Sequence, residues 1–187
     1  MILNIITPCI RPENLDKISK SINIPRENYR WIVVFDAEKL PSLELIPDNC
    51  EPYFYKNPLS SWGNAQRNFA IDKIEKGYVY FNDDDTILHE DLYLSIKDMS
   101  FDFLSFSQQF PNGKIRLKGE GIGVNLSDSN NFVVSHDLIG DTRWELSIYS
   151  ADGIFAHQCA LKSSKTLFID KVLSTYNYLN NGQHNLK

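Results

Sequence analysis

The sequence predicts an α/β fold, with a mostly parallel, doubly wound sheet in its first half and a mixed sheet in its second. Three observations predict it. The runs "ILNIIT" (2–7), "YRWIVVFDA" (29–37) and "YVYF" (78–81) are continuously apolar, as strands buried on both faces are. Segments with helical spacing separate them, so the order is β-α-β-loop-α-β-α, which implies parallel strands joined by crossovers. Beyond residue 100 strand-like runs follow one another more closely, as in a mixed sheet.

Each element has its own local signal. After the first strand, "RPENLDKISKSI" places Pro12 in a first helical turn and Leu15, Ile18 and Ile22 on one face. A Pro-containing stretch (41–58) holds a loop and a short strand around "PYFYK". "NAQRNFAIDKIEKG" (64–77) reads as a helix stopped by Gly77. "HEDLYLSIKDM" (89–99) reads as another, with Leu88, Leu92 and Ile96 at i, i+4 and i+8. In the second half "FDFLSFSQ", "GKIRLKG", "NNFVVS" and "TRWELSIY" read as strands. "ADGIFAHQCALKS" reads as a helix, and "TLFIDKVLSTYNYL" closes the chain.

Composition narrows the function. The chain has 187 residues, enough for one domain with a real core, and its 42% hydrophobic and 23% charged content is that of a soluble globular protein. A net charge of −5 gives no electrostatic case for a nucleic-acid partner. Cys9, Cys50 and Cys159 are odd in number and lack CxxC spacing, which argues against a disulfide framework or a zinc site. The N-terminal apolar run is too short for a signal peptide, and no segment reaches transmembrane length. A cytoplasmic protein is expected.

The stretch with most chemistry is "YVYFNDDDTILHEDLY", where a buried strand runs into Asp83, Asp84 and Asp85. In open α/β sheets, ligands sit beyond the carboxyl ends of the strands. Asp83 and Asp85 would stand there, with "TPCIR" after the first strand and Asp36 after the second. Adjacent carboxylates need a cation. Hard oxygen donors select Mg²⁺ or Mn²⁺, which carboxylates hold together with substrate phosphates. The plainer reading is a helix N-terminus, where negative charge suits the dipole. An EF-hand fails, because Ile87 and Leu88 stand where an oxygen ligand and glycine are needed. A haloacid-dehalogenase-like phosphatase motif fails in either alignment, with Asn82 in place of the nucleophile or Ile87 in place of Thr. There is no P-loop, GxGxxG or GxSxG motif, and "GEGIG" (119–123) reads as a turn.

Four segments, "WIVVFDA" (31–37), "NAQRNFAI" (64–71), "YVYFNDDDT" (78–86) and "SADGIFAH" (150–157), together resemble glycosyltransferases of the GT-A fold. The likeness is greatest to the inverting β-1,3-glucuronyltransferases, which use a UDP-sugar and Mn²⁺, and "IITPCIRPENLDKI" is similar to their first βα unit. Animal members are membrane-anchored. No anchor is expected here, and the chain looks like a compact bacterial or viral relative. The resemblance implies one domain over 1–187, with a nucleotide-sugar-binding half (1–99) and an acceptor-binding half (100–187).

It also implies roles. Pro8 and Asp36 would line the uracil and ribose pocket, and Arg67 would reach the diphosphate, with Arg11 a second phosphate candidate. Asp84 would touch the ribose or the donor sugar, Asp85 would be the main metal ligand, and Asp83 would support the site. Arginine's planar fork suits phosphate oxygens. Asp152 is the expected base, taking a proton from the hydroxyl of a glycan or other acceptor. In the glucuronyltransferases a later glutamate does this, and no glutamate follows Asp152 here. Glu145 and Glu120 therefore stay open as bases. His184 is expected as a further metal contact, with His157 as the other candidate. Trp62 and Trp144 could stack on a sugar, although packing is the default for aromatics. Two other functions stay in view. A sugar-phosphate nucleotidyltransferase would carry a Gly-rich loop after the first strand, which "TPCIRPENL" lacks. A sugar-nucleotide-binding module without turnover would need no base.

Overall fold

A computed structural model describes residues 1–56, 58 and 61–180. Eight strands, β1 (Leu3–Cys9), β2 (Tyr29–Asp36), β3 (Glu51–Tyr55), β4 (Tyr78–Phe81), β5 (Phe103–Gln109), β6 (Ile115–Leu117), β7 (Phe132–Ser135) and β8 (Thr166–Thr175), form one sheet. Five helices accompany them: α1 (Leu15–Ser21), α2 (Asn64–Ile71), α3 (Leu92–Ile96), α4 (His136–Ile139) and α5 (Ala151–Lys162). The order β3-β2-β1-β4 is parallel throughout. β7 joins β4 antiparallel and passes to β5. β5 pairs β7 and β6 antiparallel at its two ends and β8 in parallel along its length. The expected parallel first half and mixed second half are both present.

Continuous apolar runs arise because helices cover both faces of the sheet. Leu3, Ile5, Trp31, Val33, Phe35 and Tyr80 pack under α1 and α3, against Leu15, Ile18, Leu92 and Ile96. The alternate residues Ile6, Ile32, Val34, Val79 and Phe81 pack on the other face against Ala70, Ile71, Phe155 and Cys159 of α2 and α5. The carboxyl ends of β2, β1 and β4 lie side by side, as the reading of their sequences requires.

Three elements differ from expectation. Helix α2 ends at Ile71, not at Gly77, and 3₁₀-type bonds from Lys73 and Ile74 to Ala70 and Ile71 close it. Gly77 serves a different purpose: at φ +99° it runs so close to β1 that a Cβ would lie 2.7 Å from the Ile2 carbonyl. The helix expected over 89–99 shortens to α3. "TRWELSIY" forms no strand. Trp144 is its buried aromatic anchor between Phe81 and Phe155, with ring centroids at 4.9 and 4.7 Å. The backbone there bonds to side chains: Asn68 accepts from Trp144 N–H at 2.8 Å and donates to its carbonyl at 2.9 Å, and Asn64 donates to the Glu145 carbonyl at 2.8 Å. These asparagines replace a strand partner. The final segment supplies β8.

Helix α5 enters through a close contact that only glycine permits. A Cβ on Gly153 would lie 2.5 Å from the Gly123 carbonyl oxygen and 2.6 Å from the Val124 Cα. Alanine gains up to about 1 kcal/mol of helix propensity, but the clash is with backbone and cannot be relieved by a rotamer. Gly153→Ala is expected to destabilise by roughly 1–3 kcal/mol. Thermal unfolding followed by circular dichroism should show a Tm lower by about 3–10 °C.

Candidate active site

A cleft of about 740 Å³ opens at the carboxyl ends of the parallel strands, between the first half and the segments added by β5 to β8. Asp83, Asp85, Asp128 and Asp152 line it, together with Arg67 and Arg116. Four carboxylates thus face two guanidinium groups, and the way each is satisfied sets the chemistry of the site.

Asp83 is the bridging acid. One carboxylate oxygen accepts from Arg67 Nη2, and the other accepts from Ser129 Oγ at 2.8 Å. In the orientation that satisfies its neighbours, the Asn130 amide donates to the same oxygen at 3.0 Å and accepts from Asp83 N–H at 3.2 Å. Arg67 is nearly buried. Its Nη1 donates to the Trp62 carbonyl and to Asn64 Oδ1, both at 3.0 Å, and its guanidinium lies 4.8 Å from the Trp144 ring centroid. Packing against that ring leaves Arg67 Nε and Trp144 Nε1 buried without hydrogen-bond partners among the described residues.

Asp84 turns away from the cleft. Its Oδ2 accepts from the N–H groups of Ile10 and Arg11 at 2.6 and 2.7 Å, and its Oδ1 from Arg11 Nε at 2.8 Å. The expected contact of Asp84 with ribose or sugar does not fit this geometry, because both oxygens are engaged and the residue is only 2% exposed. Asp85 lies beside it, with Oδ2 at 3.0 Å from Arg11 Nη2. Burial, and then the neighbouring Asp83 charge, push the Asp85 carboxyl up to about 6.

The opposite wall comes from the second half. Asp128 caps the 3₁₀ turn Ser129–Asn131 and accepts from Gln108 Nε2 at 3.1 Å and Arg116 Nη1 at 3.0 Å. The Arg116 guanidinium lies 3.9 Å from the Tyr176 ring centroid. Asp152, in the first turn of α5, accepts from Gly153 N–H at 2.8 Å and has no Arg or Lys partner among the described residues. Burial, and then the Asp128 charge, raise its carboxyl to about 6. Trp62 and Tyr149 are exposed at the cleft's rim and meet edge to face at 6.3 Å.

Of the expected site residues, Arg67, Asp83, Asp85 and Asp152 come together in this cleft, and Arg11 reaches Asp85 from beneath. Pro8 is buried under Gly63 at the start of α2, and Asp36 accepts from Glu38 N–H at 3.0 Å at the end of β2. Neither lines the cleft. Glu145 is exposed outside it, Glu120 lines a separate small cleft of about 290 Å³, and His157 is exposed on α5. His184 lies outside the described residues. Asp128, Ser129 and Arg116 were not anticipated. The Asp128-x-x-Asn131 capping box was the one signal that could have pointed to them.

The residues suit a divalent cation. The cleft has an excess of carboxylate, and Asp85 with Asp83 offers the two hard oxygen donors that Mg²⁺ or Mn²⁺ uses alongside substrate phosphates. Among the described residues no three His, Cys, Asp or Glu side chains are grouped to cage an ion, so substrate oxygens would have to complete the shell.

No family model matches the chain, and no curated protein sequence matches it. Solved structures do. S. aureus TarS 1-349 aligns with a TM-score of 0.74 at 16% identity, over 94% of this chain and 60% of that one. The same protein in complex with UDP-GlcNAc gives 0.73 at 16% identity, over 94% and 58%. Mannosyltransferase PcManGT from Pyrobaculum calidifontis, in complex with GDP-Man and Mn²⁺, gives 0.71 at 12% identity, over 97% and 58%. The fold is therefore of the GT-A type found in nucleotide-sugar glycosyltransferases. This chain spans about three fifths of the length of those structures. Among the described residues, no helix is long and apolar enough to cross a membrane.

The raised carboxyl of Asp152 has a consequence for stability. Its proton is held more tightly in the fold than the ordinary carboxyl value of 3.8 allows, so the folded state loses stability as pH rises from about 4 to about 6. Above that window the full penalty applies. Asp152→Asn should therefore be more stable than the parent at pH 7.5 by up to about 3 kcal/mol, and the gain should disappear near pH 4. Urea denaturation at the two pH values measures both.

Proposed function

We propose that this protein is a metal-dependent glycosyltransferase that moves a sugar from a UDP-sugar to a hydroxyl of a glycan or other acceptor, with inversion. One observation carries the reading. Within a GT-A-type fold, the acids at the end of β4 share a cleft with Asp152, a half-buried carboxylate with no Arg or Lys partner among the described residues. Solved structures of this fold in complex with UDP-GlcNAc and with GDP-Man and Mn²⁺ support the donor class and the cation. The finer likeness to β-1,3-glucuronyltransferases rests on the sequence motifs alone.

In this reading Asp85 would hold the cation, with Asp83 in support and His184 as a further ligand, and a bound cation would supply Lewis-acid neutralisation of charge on the departing diphosphate. Pro8 and Asp36 belong to the base and ribose side, where the parallel strands end. Arg67 faces the diphosphate side and holds the Asp83 carboxylate in its orientation. Asp84 contributes by holding Arg11 and the turn after β1. The acceptor oxygen attacks the anomeric carbon from the face opposite the leaving group. As that bond forms, the carbon–oxygen bond to the diphosphate breaks, and UDP leaves with the electron pair. The acceptor's proton passes to the Asp152 carboxylate, whose raised affinity for protons suits a base working near neutral pH. The exposed Trp62 and Tyr149 border the acceptor side.

Calorimetry with UDP should show binding that strengthens with Mn²⁺ in the parent and in Asp152→Asn, and that loses its metal dependence in Asp85→Ala. Release of UDP from UDP-sugars in the presence of acceptors should fall about 10²–10⁴-fold in Asp152→Asn. In the parent the rate should rise with pH through about 6, because Asp152 must be ionised to accept the proton. Metal-dependent UDP binding with no transfer across an acceptor panel would instead identify a binding module without turnover.

A further inference from the structure

Arg11 joins two acids with different duties. Its Nε and Nη2 bond Asp84 Oδ1 at 2.8 and 2.6 Å, while the same Nη2 lies 3.0 Å from Asp85 Oδ2. Asp84 is fully committed, since its other oxygen holds the N–H groups of Ile10 and Arg11. The guanidinium is thus anchored by Asp84, and its hold on Asp85 is a single shared contact. Its side chain keeps 28% exposure.

A cation held by Asp85 would meet this guanidinium at close range. Two positive groups sharing one carboxylate repel each other, and a partly buried site screens them little. Moving Arg11 off Asp85 would sacrifice one contact and leave its bonds to Asp84 intact. Arg11 is therefore built to neutralise Asp85 in the absence of the ion and to give way when it arrives.

We propose that Arg11 is a positioning residue that competes with the divalent cation for Asp85 and so sets the affinity of the metal site from outside its ligand set. The inference rests on the metal-dependent reading above. It is tested with Mn²⁺ alone, titrated into the full chain while electron paramagnetic resonance reports the free ion. Arg11→Gln should bind Mn²⁺ about 3–10-fold more tightly than the parent, because a neighbouring positive charge is gone. Arg11→Lys should fall between them.

Arg11→Gln leaves Asp84 buried without its ion-pair partner and so endangers the fold. The double variant Arg11→Gln/Asp84→Asn removes both charges together and should stay folded; its gain in affinity should be smaller, about 2–3-fold over the parent, because the attraction of the Asp84 carboxylate is lost along with the Arg11 charge. Binding equal to or weaker than the parent's in a folded variant overturns the competition while leaving the metal-dependent reading intact. No Mn²⁺ binding in either the parent or the double variant overturns both.

Discussion

Mutual repulsion among Asp83, Asp84 and Asp85 is the constraint around which the cleft is arranged. Three carboxylates follow one residue after a strand whose last three residues are buried, so none can rely on water alone. The fold gives each a separate environment. Asp84 is drawn beneath the site into the turn after β1, where two backbone N–H groups and Arg11 satisfy it. Asp83 is taken by Arg67 and by the turn after Asp128. Asp85 shares Arg11 with Asp84 and keeps the least favourable balance, which shows in its raised affinity for a proton. A sequence that looks like one acidic patch therefore divides into a staple, a bridge and a donor.

The same partners join the two halves of the molecule. Arg67 reaches Asp83 from α2, while Asn64 and Asn68 on that helix hold the backbone of Trp144 and Glu145. Trp144 in turn packs under the Arg67 guanidinium and against Phe155 of α5, the helix that carries Asp152. A displacement of α2 would thus disturb the acid bridge and the facing wall together. Ser129 closes the circuit, because its turn is anchored to β5 through Gln108 and Asp128.

This coupling explains what was legible in the sequence. The parallel strands were, because burial on both faces leaves an uninterrupted apolar run that turns and Gly or Pro punctuate. The acids and Arg67 were also legible, since strand ends in such sheets converge on one edge. "TRWELSIY" misled because it alternates like a half-buried strand, whereas burial stops at Trp144, the residues 145–149 are exposed, and side-chain amides substitute for a partner strand. Asp128 and Arg116 were hidden for a related reason. "LSDSNN" reads as a polar loop, and only the long-range pairing of β7 with β4 brings its turn to Asp83. No local pattern records that contact.

The electrostatic state of the cleft also separates the demands of stability from those of the proposed chemistry. A fold selected for stability alone would not gather Asp85 and Asp152 with other acids in one cleft, because burying carboxylates close together is costly. Here both are buried enough to hold protons unusually tightly, although each nearest source of extra negative charge is another acid of the same cleft. The unfavourable balance is concentrated at two positions that line one cleft of about 740 Å³. Away from the cleft, Arg30 is matched to Glu51 by paired hydrogen bonds and Arg143 to Asp72 by one at 2.6 Å. The mismatch is therefore local. A cation with a diphosphate would relieve it at Asp85, and uptake of a proton would relieve it at Asp152, which is the division of labour that sugar transfer requires.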